Sequence, residues 1–117
     1  MDDLVQFLRA RLDEDEQTAR GTAMEWGTAW TVDEAMTSVR SDTGADVVAE
    51  PNVPIRHIAS HDPARVLREV DAKRRRLEVL ADAIQRGHDD YDIATELLPL
   101  EALPYADHPD YRDEWRP

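Results

Sequence analysis

His57 and His61 stand four residues apart, and Asp62 follows at once. On a helical turn over residues 55–61 the two imidazoles share a face, as helical metal ligands do. Asp62 would complete a His-His-Asp set, with His108 arriving from the tail as a fourth ligand. A metal held there would activate water, so a metal-dependent hydrolase is one reading of the cluster. The plainer reading makes Asp62 the N-cap of the next helix, which occupies its oxygens, and lets the histidines fix the loop through backbone carbonyls. No Glu lies between the two histidines, as it does in a metalloprotease helix. Ser60 next to His61 is not a triad, and no nucleophile-elbow motif surrounds it. The four glycines are scattered and build no phosphate loop. With no cysteine, thiolate catalysis, disulfides and Cys-based metal sites are excluded. No cofactor is expected, and the balance leans away from an enzyme.

The second chemical feature is a basic band: Arg65, Arg68, Lys73, Arg74, Arg75 and Arg76 on one stretch of chain. It could hold phosphate or an acidic partner. It could equally be an ion-paired face, with Glu69–Lys73 and Arg74–Glu78 at i,i+4 spacing and the acidic runs Asp13–Glu16 and Asp89–Asp92 covering the rest. Charge layout supports the second use. Residues 1–55 hold 4 basic and 12 acidic side chains, residues 56–86 hold 8 and 5, and residues 87–117 hold 2 and 9, which gives −8, +3 and −7. Acidic ends folded over a basic spine are the natural arrangement. The total of −12 sets the chain as a whole against phosphate backbones, so direct nucleic-acid binding is disfavoured, as is an anionic membrane surface. The same acidity could instead imitate DNA and inhibit a DNA-binding protein, provided the carboxylates are spaced like phosphates on one face.

The elements that must position these groups follow from spacing. Asp2 or Asp3 can start a first helix, with Leu4, Phe7, Leu8, Leu12, Ala19 and Ala23 as its stripe. Gly21 weakens its last turn. Val39, Val47 and Val48 around the turn Ser41-Asp-Thr-Gly44 favour a hairpin near 37–41 and 46–50, with a further strand near Trp30–Val32. A capping-box pattern at Thr31 and Glu34 points instead to helix. Pro51 and Pro54 end whatever precedes them. Asp62-Pro63 then opens a long basic helix with the stripe Val66, Leu67, Val70, Leu77, Leu80, Ala81 and Ile84, which Gly87 stops. At roughly 24 residues it would be about 36 Å long. Tyr91–Leu98 should be a short helix ended by Pro99. In the tail, Tyr111 and Trp115 are four apart, and one turn after Pro109 puts them on one face.

The expected fold is therefore α+β and mainly helical: a long basic helix paired with an acidic N-terminal helix, a small hairpin between them, then a short helix and an ordered tail. At 117 residues, one small domain over 1–117 is expected. No apolar run approaches the roughly 20 residues that span a bilayer. The opening Met-Asp-Asp-Leu is unlike a signal peptide. A cytoplasmic protein with no membrane partner is the expectation.

Three strings together look familiar: the start Met1-Asp-Asp-Leu-Val-x-Phe-Leu, the centre His57-Ile-Ala-Ser-His-Asp-Pro-Ala-Arg-Val-Leu-Arg-Glu-Val, and the end Leu103-Pro-Tyr-Ala-Asp-His-Pro-Asp-Tyr-Arg-Asp-Glu-Trp-Arg-Pro. They resemble a family of short uncharacterised actinobacterial (Streptomyces-like) and actinophage proteins, a domain of unknown function. In relatives a Trp precedes a β-rich segment with a Gly turn. Trp30 and Gly44 match that pattern, while Gly27-Thr-Ala stands where Pro-Gly is usual. The resemblance implies the hairpin and no activity.

These readings converge on a non-enzymatic interaction module, assembled as a homo-oligomer and bound to a further protein, serving an actinobacterium or its phage. Leu67, Val70, Leu77, Ala81 and Ile84, with Arg74 among them, alternate by three and four and could form the seam. Arg65, Arg68, Lys73, Arg75, Arg76, Tyr105, Tyr111 and Trp115 are the candidate partner-binding residues, since Tyr, Trp and Arg dominate interface hot spots. The aromatic tail could also fold back on its own core.

Overall fold

Asp2 and Asp3 lie in the first turn of α1 (Asp2–Trp26), where carboxylates meet the positive helix end. A computed structural model of the chain describes residues 1–50, 53–87 and 89–117. After α1 come β1 (Trp30–Val32), β2 (Val39–Ser41), β3 (Asp46–Val48), α2 (Ile55–Ser60), α3 (Pro63–Arg86) and α4 (Tyr91–Ala102). Two 3₁₀ turns, Leu103–Tyr105 and Asp113–Trp115, order the tail. The chain is α+β and mainly helical. It divides into two compact units, the first made of Met1–Glu14 and Asp71–Pro117, the second of Asp15–Val70.

In the first unit the start of α1 meets the C-terminal two-thirds of α3. Leu4, Phe7, Leu8, Leu12 and Leu77 are buried with Ala94, Leu98 and Ala102 of α4. Packing is tight: the hollow left between Leu8, Leu12, Leu77 and Tyr105 measures about 10 Å³, barely one water-sized probe. Arg9 bonds Glu78 through two nitrogens, both at 3.1 Å, and Arg74 bonds Asp13 at 2.7 Å, so the acidic and basic helices are tied as well as packed.

α4 runs past the expected stop. Pro99 sits inside it, and the helix continues to Ala102. Proline removes one amide donor and crowds the carbonyl four residues back. Complete burial of Leu98 and Ala102, on either side of it, offsets that cost. α1 likewise continues through Gly21.

In the second unit the three strands form an antiparallel sheet in the order β1-β2-β3. Trp30 faces Ser41 across β1 and β2, and Val39 faces Val48 across β2 and β3, with a bulge between Val39 and Arg40. The capping-box pattern at Thr31 and Glu34 is not a helix start. The chain turns there, with Met36 at φ 59°. Asp33 holds the turn by accepting from the amides of Thr37 (2.8 Å) and Ser38 (3.1 Å) and from the Thr37 hydroxyl (3.0 Å). These bonds, the Thr37 amide first, hold the Asp33 carboxyl at about 2, below its ordinary 3.8. Pro51 lies outside the described residues.

Candidate interaction surfaces

Asp62 is the hinge of the metal reading, and both its oxygens are occupied. Oδ1 accepts from the Arg65 amide at 2.8 Å, the geometry of an N-cap on α3, and Oδ2 accepts from the Trp30 amide at 3.1 Å. One carboxylate thus starts a helix and anchors β1. His57 and His61 do come together, their ring centroids 4.2 Å apart. The His61 Nδ1 lies 2.7 Å from the His57 carbonyl oxygen, so that nitrogen carries the proton and donates it. His108 belongs to the first unit, where its Nδ1 accepts from Arg11 (3.1 Å) and from the Asp110 amide (3.0 Å). Among the described residues, no three His, Asp or Glu side chains are grouped so as to hold a metal ion.

The basic band is met from several directions. Arg65 pairs with Glu69 at 2.9 Å and Arg75 with Asp71 at 3.1 Å, both along α3. Arg76 reaches Glu101 of α4 through two nitrogens, at 2.9 and 3.2 Å, and this bond raises the arginine's pKa above its ordinary value. Lys73 lies 5.9 Å from the centre of the Tyr105 ring. Glu69 and Glu78 thus bond Arg65 and Arg9, where spacing alone had suggested Lys73 and Arg74. Such exposed pairs are worth about 0–1 kcal/mol each, so they orient elements more than they stabilise them.

The aromatic tail closes around one ring. Phe7 of α1 is buried, with Tyr105, His108, Tyr111 and Trp115 at centroid distances of 6.3, 5.7, 6.0 and 5.0 Å. Tyr111 and Trp115 meet edge to face at 5.8 Å, but not on the helical turn expected after Pro109: Arg112 between them is extended, and only Asp113–Trp115 form a 3₁₀ turn. The Arg11 guanidinium covers another side of Phe7 at 5.0 Å, and Arg112 bonds Asp3 at 3.0 Å. All three aromatic residues named as partner-binding candidates are half-buried in this cage.

The seam residues divide similarly. Leu77 in the first unit and Val70 in the second are already buried by the chain itself. Ala81 and Ile84 line a polar cleft of about 410 Å³ with Gln6 and Arg9 of α1, and Leu67 is half-buried.

The open apolar surface is elsewhere. Val79 of α3 is 67% exposed, and Ile93, Leu97 and Leu100 of α4 are 58%, 40% and 49% exposed. Val79, Leu80, Leu97 and Leu100 line a hollow of about 440 Å³, with Arg75, Arg76 and Glu101 at its edge.

One family model matches residues 1–117, the whole chain. The chain belongs to the family of unknown function DUF6221. No curated protein and no solved structure matches it. The exposed leucines of this DUF6221 chain have a signal in the sequence. In Ile93-Ala-Thr-Glu-Leu97-Leu98-Pro-Leu100 the apolar residues occupy more than one face of a helix, which is more than a single core contact uses. No helix of the described DUF6221 residues is long and apolar enough to cross a membrane.

Proposed function

We propose that this chain is a non-enzymatic interaction module that pairs with a second copy of itself through the open face of α3 and α4. The observation that carries the reading is the exposure of Val79, Leu97 and Leu100 on neighbouring helices around one hollow, with Ile93 exposed one helical turn before Leu97 on α4. Contiguous apolar surface of this kind marks an interaction site, because leaving it in water forfeits roughly 25 cal/mol per Å². A second copy fits it by charge. The α3 side carries Arg75, paired with Asp71 yet 79% exposed, and Arg76, which Glu101 meets, while α4 exposes Asp92 and Glu96. A two-fold axis through the leucines would set each basic edge against the partner's acidic edge, as a self-complementary patch requires.

Leu97→Glu and Val79→Glu place a carboxylate on this face without entering the core. Both variants should keep the helical circular dichroism of the parent and sediment as monomers where the parent sediments as a dimer. Equal masses for parent and variants at every concentration would refute the proposal.

A further inference from the structure

The second unit has another open surface, on the side of α1 that faces the sheet. Two hollows, of about 580 and 290 Å³, share Thr18, Thr22 and Trp30 as lining. Gly21, Glu25, Trp26 and Val47 also line the larger one, and Asp15 and His61 belong to the smaller. Both open to solvent along the helix.

Gly21 is the first observation. It lies inside α1, and its φ is not positive, so the backbone does not require glycine. A Cβ built there would meet nothing within 4 Å, so packing within the chain does not require it either. Glycine inside a helix nevertheless costs stability relative to alanine. What it provides is a bare, exposed stretch of helix backbone lining the larger hollow, where another chain can approach closely.

The second observation is the fixed indole. Trp30 Nε1 donates to the carbonyl oxygens of Trp26 and Gly27, both at 3.1 Å, which sets the ring's orientation before anything binds. Beside it, Trp26 is 44% exposed.

Charge is the third. The ionisable groups lining the two hollows are the carboxylates of Asp15 and Glu25 and the imidazole of His61, and no lysine or arginine lines either one. Indole faces and carboxylates both attract a cation. The two hollows are open and their lining runs along α1 from Asp15 to Trp26, whereas small-molecule pockets enclose most of their ligand. We infer that this groove binds an extended segment of a partner protein, which lays an apolar residue over Gly21 and an arginine or lysine against Trp30 and Trp26, next to Glu25.

The test is a nuclear magnetic resonance titration of the ¹⁵N-labelled full chain. The probes are blocked pentapeptides with a central arginine, lysine or glutamate flanked by leucines. The Gly21 amide and the Trp30 indole N–H should shift saturably with the arginine and lysine peptides and not with the glutamate peptide. Gly21→Ala should raise the melting temperature, showing that glycine is not there for folding. Gly21→Leu should remain folded and weaken binding at least tenfold, and Glu25→Gln should weaken it several-fold. Leu97→Glu should bind like the parent, which separates this surface from the α3–α4 face. Equal shifts with the glutamate peptide, no shifts at millimolar peptide, or undiminished binding by Gly21→Leu would each overturn the inference.

Discussion

The indole of Trp115 lies 5.0 Å from the ring of Phe7, tilted by 50°, joining the last ordered turn of the tail to the second turn of α1. Phe7 is the centre of this arrangement and Trp115 one of its walls, which predicts unequal costs. Phe7→Ala removes the one ring that all four others touch, and should cost about 3–5 kcal/mol. Trp115→Ala should cost clearly less, because Tyr105, His108 and Tyr111 remain. Urea unfolding of both variants measures the difference, and equal losses would mean that the tail does not depend on Phe7.

Within this cage the Tyr111 hydroxyl is buried, and no hydrogen-bond partner reaches it among the described residues. A buried unpaired hydroxyl is destabilising by about 1–3 kcal/mol. Tyr111→Phe keeps the ring contacts and removes the stranded group. It should therefore unfold at equal or higher urea, by up to about 1 kcal/mol. A marked loss of stability would show that the hydroxyl has a partner in solution.

The fold and its candidate surfaces were only partly legible in the sequence. Local signals served well: Asp62-Pro63 and Gly87 bound the long helix, and the valines and Ser41-Asp-Thr-Gly44 made the hairpin. Signals that depend on distant partners did not. Nothing near Phe7 announces that the tail will enclose it. Pro99 reads as a helix stop until the burial of Leu98 and Ala102 is known. For the candidate site, spacing brought His57 and His61 together, and the N-cap reading put an Asp62 oxygen on the Arg65 amide, but no local signal shows that the other oxygen takes the distant Trp30 amide. The seam was drawn through Leu77 because it is the most regular stripe. The chain itself buries Val70 and Leu77 of that stripe, while Leu97 and Leu100 of α4 stay exposed.

Gly27, just past the end of α1, is a position where substitution should fail. Its φ is +83°, and a Cβ there would stand 1.8 Å from the Ser41 hydroxyl and 2.6 Å from a carboxylate oxygen of Asp42. Left-handed backbone alone costs a non-glycine residue about 1–2 kcal/mol, and the clash with β2 adds to it. Gly27→Ala should lose hairpin protection in amide hydrogen exchange while the first-unit amides keep theirs. Unchanged protection at Val39 and Ser41 would contradict this geometry.

Asp33 predicts an acid response. Its folded value of about 2 lies below its ordinary 3.8, so the unfolded chain takes up the proton more readily. The stabilisation is present in full above about 3.8 and is lost as pH falls through about 2. Asp33→Asn should flatten the stability curve over that interval relative to the parent. Identical slopes would mean that the bonds to Thr37 and Ser38 do not persist in solution.

The α3–α4 face is the centre of the functional account, and the mass of the parent chain in solution tests it most directly. Light scattering should be recorded over a concentration series, at low salt and at 0.5 M salt. An apolar face predicts a dimer that strengthens with concentration and survives the higher salt, since screening weakens the charged edges but not the leucine contact. A monomer of 13.4 kDa under all conditions would contradict self-association through Val79, Ile93, Leu97 and Leu100.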